Sequence, residues 1–327
     1  MAKKAFVTGS TGFLGLNIVE HLAEAGWEIF ALRRTTSNTA ALDTMKAVQV
    51  IGDVSDKDSL LAAMPENVDA VFHTAGDTSL WRGFNSRQYR INVAGTRNMV
   101  EAALQKNVKR FIHTSSIGAY GTIEGAPLTE ETPSKALESG IHYYKTKYLA
   151  EQEVHKGIEQ GLDAVIINPA QIIGPYDYNY TPEIFSLLKN GTMKGVPRGI
   201  SVCGHVRDYA AAHLVAWEQG RRGENYILGG VHASFYDIVD VVCTILEIKS
   251  PKVSLPTTPL SMAAYFLNLV SRFTNREPIL TPEKHVLMNQ VMNIDSGKAE
   301  KELGFSTCSL EKMFTDSYQW MVSEGIA

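Results

Sequence analysis

The chain has 327 residues, 44% of them hydrophobic and 20% charged, with a formal net charge of −4. That length supports a large core in one long domain or two, and the composition is that of a globular chain, not a disordered or fibrous one. The negative balance, with no basic run longer than two residues, argues against a nucleic-acid partner.

The first half alternates short apolar runs with longer helical patterns, which predicts βαβ units and a parallel sheet. Lys4–Thr8 reads as a buried strand, and Gly12–Ala25 as a helix with Leu14, Ile18, Val19 and Leu22 on one face. Glu28–Leu32 and Val48–Ile51 are the next strands, and Ser55 with Asp58 marks a helix start. Ala70–His73 is a fourth strand, Val93–Leu104 a helix and Arg110–Thr114 a fifth strand. Tyr143–Ile158 is predicted helical, followed by the strand Ala164–Asn168. The expected fold is a Rossmann-type, doubly wound α/β sheet. After Pro169 the texture changes: Gly, Pro and Tyr crowd residues 174–200, and prolines recur from 251 to 282. The predicted division is residues 1–168 as a nucleotide-binding Rossmann domain that includes the Tyr143–Ile158 helix. Residues 169–327 are mainly a smaller lobe for substrate, with some segments returning to the sheet.

Cys203, Cys243 and Cys308 lie far apart without C-x-x-C or histidine-ligand spacing. Reduced thiols in a cytoplasmic protein are therefore expected, and no metal site. The apolar N-terminal stretch is too short for a signal peptide, and no segment reaches the roughly 20 apolar residues of a membrane span. Met262–Val270 reads as an amphipathic helix over a core or pocket, with an interfacial membrane helix as the alternative.

Gly9, Gly12 and Gly15 stand between the first strand and the first helix, in a G-x-x-G-x-x-G turn that also holds Thr11, Phe13 and Leu14. Glycines there permit a tight turn and close backbone approach to a pyrophosphate, which the free amides and positive end of the helix attract. The residue ending the second strand selects the cofactor: an acid suits the ribose hydroxyls of NAD, arginine the extra phosphate of NADP. Here Arg33 and Arg34 follow Leu32, with no acid until Asp43, so NADPH is favoured over NAD. Tyr143 and Lys147 are one helical turn apart and share a face. A nearby ammonium favours the phenolate and is expected to lower the tyrosine pKa toward the working range.

With T-G-x-x-G-x-x-G at Thr8–Gly15 and Y-x-x-x-K at Tyr143–Lys147 come N-V-x-G-T at Asn92–Thr96 and T-S-S at Thr114–Ser116. N-P-x-x-I-x-G-P at Asn168–Pro175, V-R-D at Val206–Asp208 and K-A-x-x-x-L-G-F at Lys298–Phe305 complete the order. Over nearly its whole length the chain resembles an extended short-chain dehydrogenase/reductase of the epimerase/dehydratase family. Arg33, Ile167-Asn168-Pro169 and the block Pro278–Pro282 resemble its dihydroflavonol-reductase-like branch.

The resemblance implies an oxidoreductase in which Tyr143 is the general acid and Lys147 holds the nicotinamide ribose. Ser116, with Ser115 as its rival, would hydrogen-bond the carbonyl, and Asn92 would have a structural or proton-relay role. Asp53 and Val54 would contact adenine, the His73–Gly76 backbone (His73, Thr74, Ala75, Gly76) would line the cofactor, and Asn168 and Pro169 would lie beside the nicotinamide. His73 is assigned no chemistry. The implied reaction is NADPH-dependent reduction of a small hydrophobic aldehyde or ketone. The alternatives are a nucleotide-sugar epimerase or dehydratase with tightly bound NAD, using Arg198, Arg207 and Arg276 on the diphosphate, and a hydroxysteroid-type dehydrogenase. A non-catalytic NADP(H) sensor usually loses the tyrosine or lysine, and both are kept here. The substrate pocket is expected between Leu80, Trp81 and Phe84, the stretch after Tyr120, Tyr176–Tyr180 and the helix around Met262–Phe266. Pairing of two copies through the helices near 90–105 and 143–158 is common in the family.

Overall fold

Period-two burial places the first strand before any tertiary argument is needed: in β1 (Lys4–Thr8), Ala5 and Val7 enter one hydrophobic cluster and Phe6 the other. The computed structural model describes residues 2–122, 125–274 and 276–327, without the Arg272 side chain. After β1 come α1 (Phe13–Glu24), β2 (Glu28–Arg33), β3 (Val48–Ile51), α2 (Lys57–Ala63) and β4 (Ala70–His73). Asp56 caps α2, accepting from the amides of Asp58 and Ser59, so the helix begins one residue beyond the expected Ser55 signal.

The next helix differs most from expectation. It starts eight residues before Val93, as α3 (Asn85–Tyr89), passes through a π-helical segment (Arg90–Ala94) and continues as α4 (Gly95–Gln105). The sequence around Asn85–Arg90 is polar and lacks a helical apolar stripe, so periodicity could not find it. Then follow β5 (Arg110–Thr114), α5 (His142–Glu159) and β6 (Ala164–Pro169).

Beyond Pro169 lie β7 (Gln171–Ile173), α6 (Tyr180–Lys189), β8 (Ile200–His205), α7 (Val206–Gln219), β9 (Asn225–Leu228) and β10 (Val231–Ser234). The helices α8 (Phe235–Ile245), α9 (Thr257–Thr274), α10 (Pro282–Asn289), α11 (Gly297–Leu303) and α12 (Leu310–Ser323) complete the chain. Seven parallel strands form one sheet in the order β3-β2-β1-β4-β5-β6-β9. The order reverses between β1 and β4, the crevice where open α/β sheets bind ligands. β9 and α7, both from beyond residue 169, belong to this layer: Tyr209, Ala212 and Ala216 of α7 pack with Leu16 and Val19 of α1. A second sheet, β10-β8-β7, shares a separate core with α6, α8 and α12. No helix among the described residues is long and apolar enough to cross a membrane.

A candidate active site at the carboxyl ends of the strands

The turn after β1 is built for close approach. Gly9 has φ +67°, and a Cβ there would press on Thr74 Oγ1 at 2.6 Å and the Ala75 nitrogen at 2.8 Å. A Cβ on Gly15 would collide with the Gly9 carbonyl oxygen, so α1 and the turn touch only because Gly15 lacks a side chain. No side chain caps α1 and no acid stands in its first turn, leaving its amides and dipole directed at the crevice. This cradle fits a pyrophosphate.

Across the crevice, the strand-end residues of β4 are tied back to β1. Thr74 Oγ1 donates to the Thr8 carbonyl at 2.7 Å, and the Ala75 amide donates to Thr8 Oγ1 at 3.2 Å. His73 is fully buried, its Nδ1 2.7 Å from Thr8 Oγ1 and its Nε2 3.1 Å from Thr96 Oγ1. Burial, with Lys147 adding to it, pushes His73 down to about 3, so the ring is neutral and serves as a satisfied strut.

At the outer edge β2 runs through Arg33, one residue past the expected Leu32. Arg33 Nε donates to Gln49 Oε1 at 2.7 Å, and Gln49 Nε2 donates to Asp43 Oδ1 at 2.7 Å, while Arg34 is exposed. Asp43, the first acid after the two arginines in the sequence, therefore stands behind Arg33 through a glutamine. Asp53 follows β3, its Oδ1 accepting from the Ser55 amide and hydroxyl, and Val54 packs against α4 beside Gly95.

Ser116, Tyr143 and Lys147 meet at the ends of β5 and α5. Lys147 is 6% exposed and donates from Nζ to the Thr114 carbonyl at 2.9 Å. Burial pushes it down to about 8, against the opposing pull of Glu151. The Tyr143 phenol is pushed up to about 12 by burial, with Asp77 adding to the rise and the Ser116 hydroxyl pulling it down. This reverses the expected lowering by Lys147: the ammonium is spent on a carbonyl, and desolvation of the phenolate dominates. Ser116, whose hydroxyl also accepts from the Gly118 amide at 3.0 Å, is the serine that reaches Tyr143. Ser115 is buried on the side of Glu151.

Two networks support this centre. Asn92 lies in the π-helical segment, a deformation often found at functional sites. Its Oδ1 accepts from the Asp77 amide at 2.7 Å, while its Nδ2 donates to the Asp77 carbonyl and to Thr146 Oγ1, both at 3.0 Å. A Cβ on Gly76 would lie 3.5 Å from Asn92 Oδ1 and 3.6 Å from Lys147 Nζ, which puts the β4 end in contact with both. On the other side Asn168 Nδ2 donates to Glu151 Oε1 at 2.7 Å and to the Ser116 carbonyl at 3.1 Å. Sequence reasoning missed Glu151 and Asp77. The signal for Glu151 was its position one turn beyond Lys147 on the same face of α5; nothing in the sequence marked Asp77.

The expected pocket walls are met in part. A small cleft beside Tyr143 is lined by Leu80, Trp81, Arg82, Ile141 and Glu283 among others. It adjoins a cavity of about 420 Å³ that shares Arg82, Ile141 and Glu283 and adds Lys135, Tyr265 and Val286. Phe84 packs edge-on against Trp81 at 4.6 Å. Tyr176 and Tyr178 pack instead on Trp320, and Met262 and Phe266 of α9 point outward with 69% and 65% exposure, so neither group lines the cavity. Residues 123 and 124, in the stretch after Tyr120, lie outside the described residues, and Thr122 lines the cavity. Arg198, Arg207 and Arg276 line neither space.

Comparison with known proteins finds relatives over nearly the whole chain. The model of the NAD dependent epimerase/dehydratase family matches residues 5–229. A Synechocystis sp. protein whose name provisionally assigns it as a dihydroflavonol 4-reductase is 35% identical, over 99% of this chain and 96% of its own. Sterol demethylase protein B of Methylococcus capsulatus is 31% identical over 98% of each chain. The crystal structure of gox2253 superposes with a TM-score of 0.86 at 34% identity, covering 99% of both chains.

Proposed function

The chain belongs to the NAD dependent epimerase/dehydratase family as an extended short-chain dehydrogenase/reductase of the dihydroflavonol-reductase-like branch, and on that premise we propose that it reduces a small hydrophobic aldehyde or ketone with NADPH. It is an NAD(P)-dependent oxidoreductase; the substrate class, the preference for NADPH and the residue roles are the proposal. The observation that carries it is the approach of Ser116 to Tyr143, one helical turn from the buried Lys147, beside the Gly9–Gly15 cradle. Bound there, the nicotinamide supplies the hydride. Gly9, Thr11, Gly12 and the first amides of α1 would hold the pyrophosphate, with Arg33 and Arg34 on the extra phosphate and Asp53 and Val54 at the adenine. The His73–Gly76 backbone, Asn168 and Pro169 would border the nicotinamide end.

Tyr143 holds its proton at neutral pH because burial disfavours its phenolate, so it is poised to donate to a developing alkoxide. Ser116 is placed to hydrogen-bond the same oxygen, and Lys147, charged below about 8, would bind ribose hydroxyls and offset the charge left on Tyr143. Asn92 keeps Asp77 and α5 in register through its bonds to the Asp77 backbone and to Thr146. The apolar and aromatic part of the wall (Leu80, Trp81, Ile141, Tyr265) suits a hydrophobic carbonyl. That Arg198, Arg207 and Arg276 line neither the cleft nor the cavity favours this reading over a nucleotide-sugar epimerase. Free thiols at all three cysteines support a cytoplasmic location, and the family resemblance supports pairing of two copies through α4 and α5.

Nicotinamide absorbance with NADPH and with NADH, on a panel of aldehydes, ketones and hydroxysteroids, tests the reading. Tyr143→Phe should lower turnover by about 10²- to 10⁴-fold with cofactor affinity unchanged. UDP-sugar interconversion by protein that purifies with NAD bound would overturn it in favour of an epimerase.

A further inference from the structure

The helix α9 is mounted with its apolar stripe facing away from the protein. Met262, Tyr265, Phe266, Leu269, Val270 and Phe273 recur at helical spacing on one face. Their exposures are 69%, 64%, 65%, 52%, 39% and 86%. The opposite face supplies the anchoring: Ala264 is buried, and Ser271 Oγ receives the buried Trp81 Nε1 at 2.9 Å. A surface helix of a water-soluble fold ordinarily does the reverse, and single exposed apolar residues are commonplace where a continuous stripe is not. Val286 on α10, which lines the same cavity as Tyr265, extends the patch.

Between the flanking acids Glu247 and Glu277, the segment that carries the stripe is one-sided in charge. Residues 248–276 include Lys249, Lys252, Arg272 and Arg276 and neither Asp nor Glu, in a chain whose net charge is −4. Lys249, Lys252 and Arg276 are exposed. A second copy seated on this face across a two-fold axis would bring like charges together, with no acid in the segment to answer them. An anionic lipid surface answers both features: acyl chains take the apolar stripe, and headgroup phosphates take the cations.

We propose that α9 docks this protein peripherally on an anionic membrane surface, lying in the interface with Met262, Phe266, Leu269, Val270 and Phe273 in the acyl boundary. Tyr265 stands at the edge of the stripe and lines the cavity that adjoins the Tyr143 cleft. Docking therefore brings the mouth of that cavity to the bilayer, where apolar molecules concentrate. The docking itself does not depend on which carbonyl is reduced.

Co-sedimentation of the full chain with vesicles of phosphatidylcholine and phosphatidylglycerol, against phosphatidylcholine alone, tests it. Strong binding to the mixed vesicles and weaker binding to the neutral ones is expected. F266S/F273S should lower partitioning by roughly tenfold or more per phenylalanine. K249Q/K252Q should lower it by about fivefold per charge on anionic vesicles only. NADPH binding followed by fluorescence should match the parent protein in both variants, which separates lost docking from lost fold. Absence of sedimentation with anionic vesicles overturns the proposal, as does binding that F266S/F273S leaves unchanged. A parent dimer that F266S/F273S converts to monomer in ultracentrifugation, without binding vesicles, assigns the face to a second copy and also overturns it.

Discussion

Acid should unfold this protein through the buried histidines in and against its central sheet. His73 and His213 are fully buried, and burial pushes them down from 6.5 to about 3 and about 4; His113, stacked 5.4 Å from His73, is lowered as well. A histidine whose pKa falls on folding holds its proton more tightly in the unfolded chain. The folded state therefore has its full advantage above 6.5 and loses it as pH falls toward the depressed values. At about pH 5 the unfolded ring is some 1.5 units below its pKa, so each of the two contributes a loss of about 2 kcal/mol, together about 4 kcal/mol. Glu151 and Glu130, whose buried carboxyls are pushed up, act in the opposite direction, so the diagnostic is the change a variant makes in the pH dependence. Urea unfolding of the parent, His73→Asn and His213→Gln followed by circular dichroism at about pH 7.5 and about pH 5 measures it. Each variant should lose about 2 kcal/mol less than the parent over that interval, whatever its stability at the upper pH. Parallel pH dependences in all three proteins would refute the burial argument for these rings.

Arg33→Ala should raise the Kd for NADPH by about 10- to 150-fold, from a charged hydrogen bond of roughly 1.5–3 kcal/mol, and leave NADH unchanged. Equal loss for both cofactors in a fluorescence titration would sink the role given to Arg33. Gly15→Ala places a Cβ on the Gly9 carbonyl, and relieving that overlap should cost about 1–3 kcal/mol. A lower Tm and weaker dinucleotide binding should appear together; unchanged binding would remove the pyrophosphate from this turn. In the free enzyme, kcat/KM should fall above about 8 as Lys147 loses its proton, approaching tenfold per pH unit. Since Glu151 pulls Lys147 upward, Glu151→Gln should move that break to lower pH, and a stationary break would exclude Glu151 from the effect.

The sheet was legible because its strands are short, apolar and separated by helices of regular period. β1, β3, β4 and β5 fall on the expected residues, and β2 and β6 run one residue further. Where the helix before α4 begins was not legible, since Asn85–Arg90 shows no apolar stripe and is held by tertiary bonds. Gln88 Nε2 donates to the carbonyls of Asp77 and Ser79, and Arg87 pairs with Asp77 at 2.6 Å. Within the site, residues in motifs could be named from spacing, yet their electrostatics could not. Whether Lys147 lowers Tyr143 depends on which acceptor its ammonium finds, and the Thr114 carbonyl belongs to a strand 33 residues away.

The reading of α9 was met only in part, for a more general reason: Tyr265 lines the cavity, while Met262 and Phe266 do not. Helical periodicity locates an apolar face without saying which way it points; the convention that it points inward is a statement about burial, which a sequence does not contain. Here Trp81, whose indole nitrogen donates to Ser271 on the inward side of the helix, is one of the groups that hold the stripe outward. The absence of acids from residues 248–276 was in the sequence throughout and carried no meaning until that orientation was known. An apolar helix face turned inward closes a pocket; the same face turned outward is available to a lipid surface. Ala264 and Ser271, buried on the opposite face, hold the outward orientation.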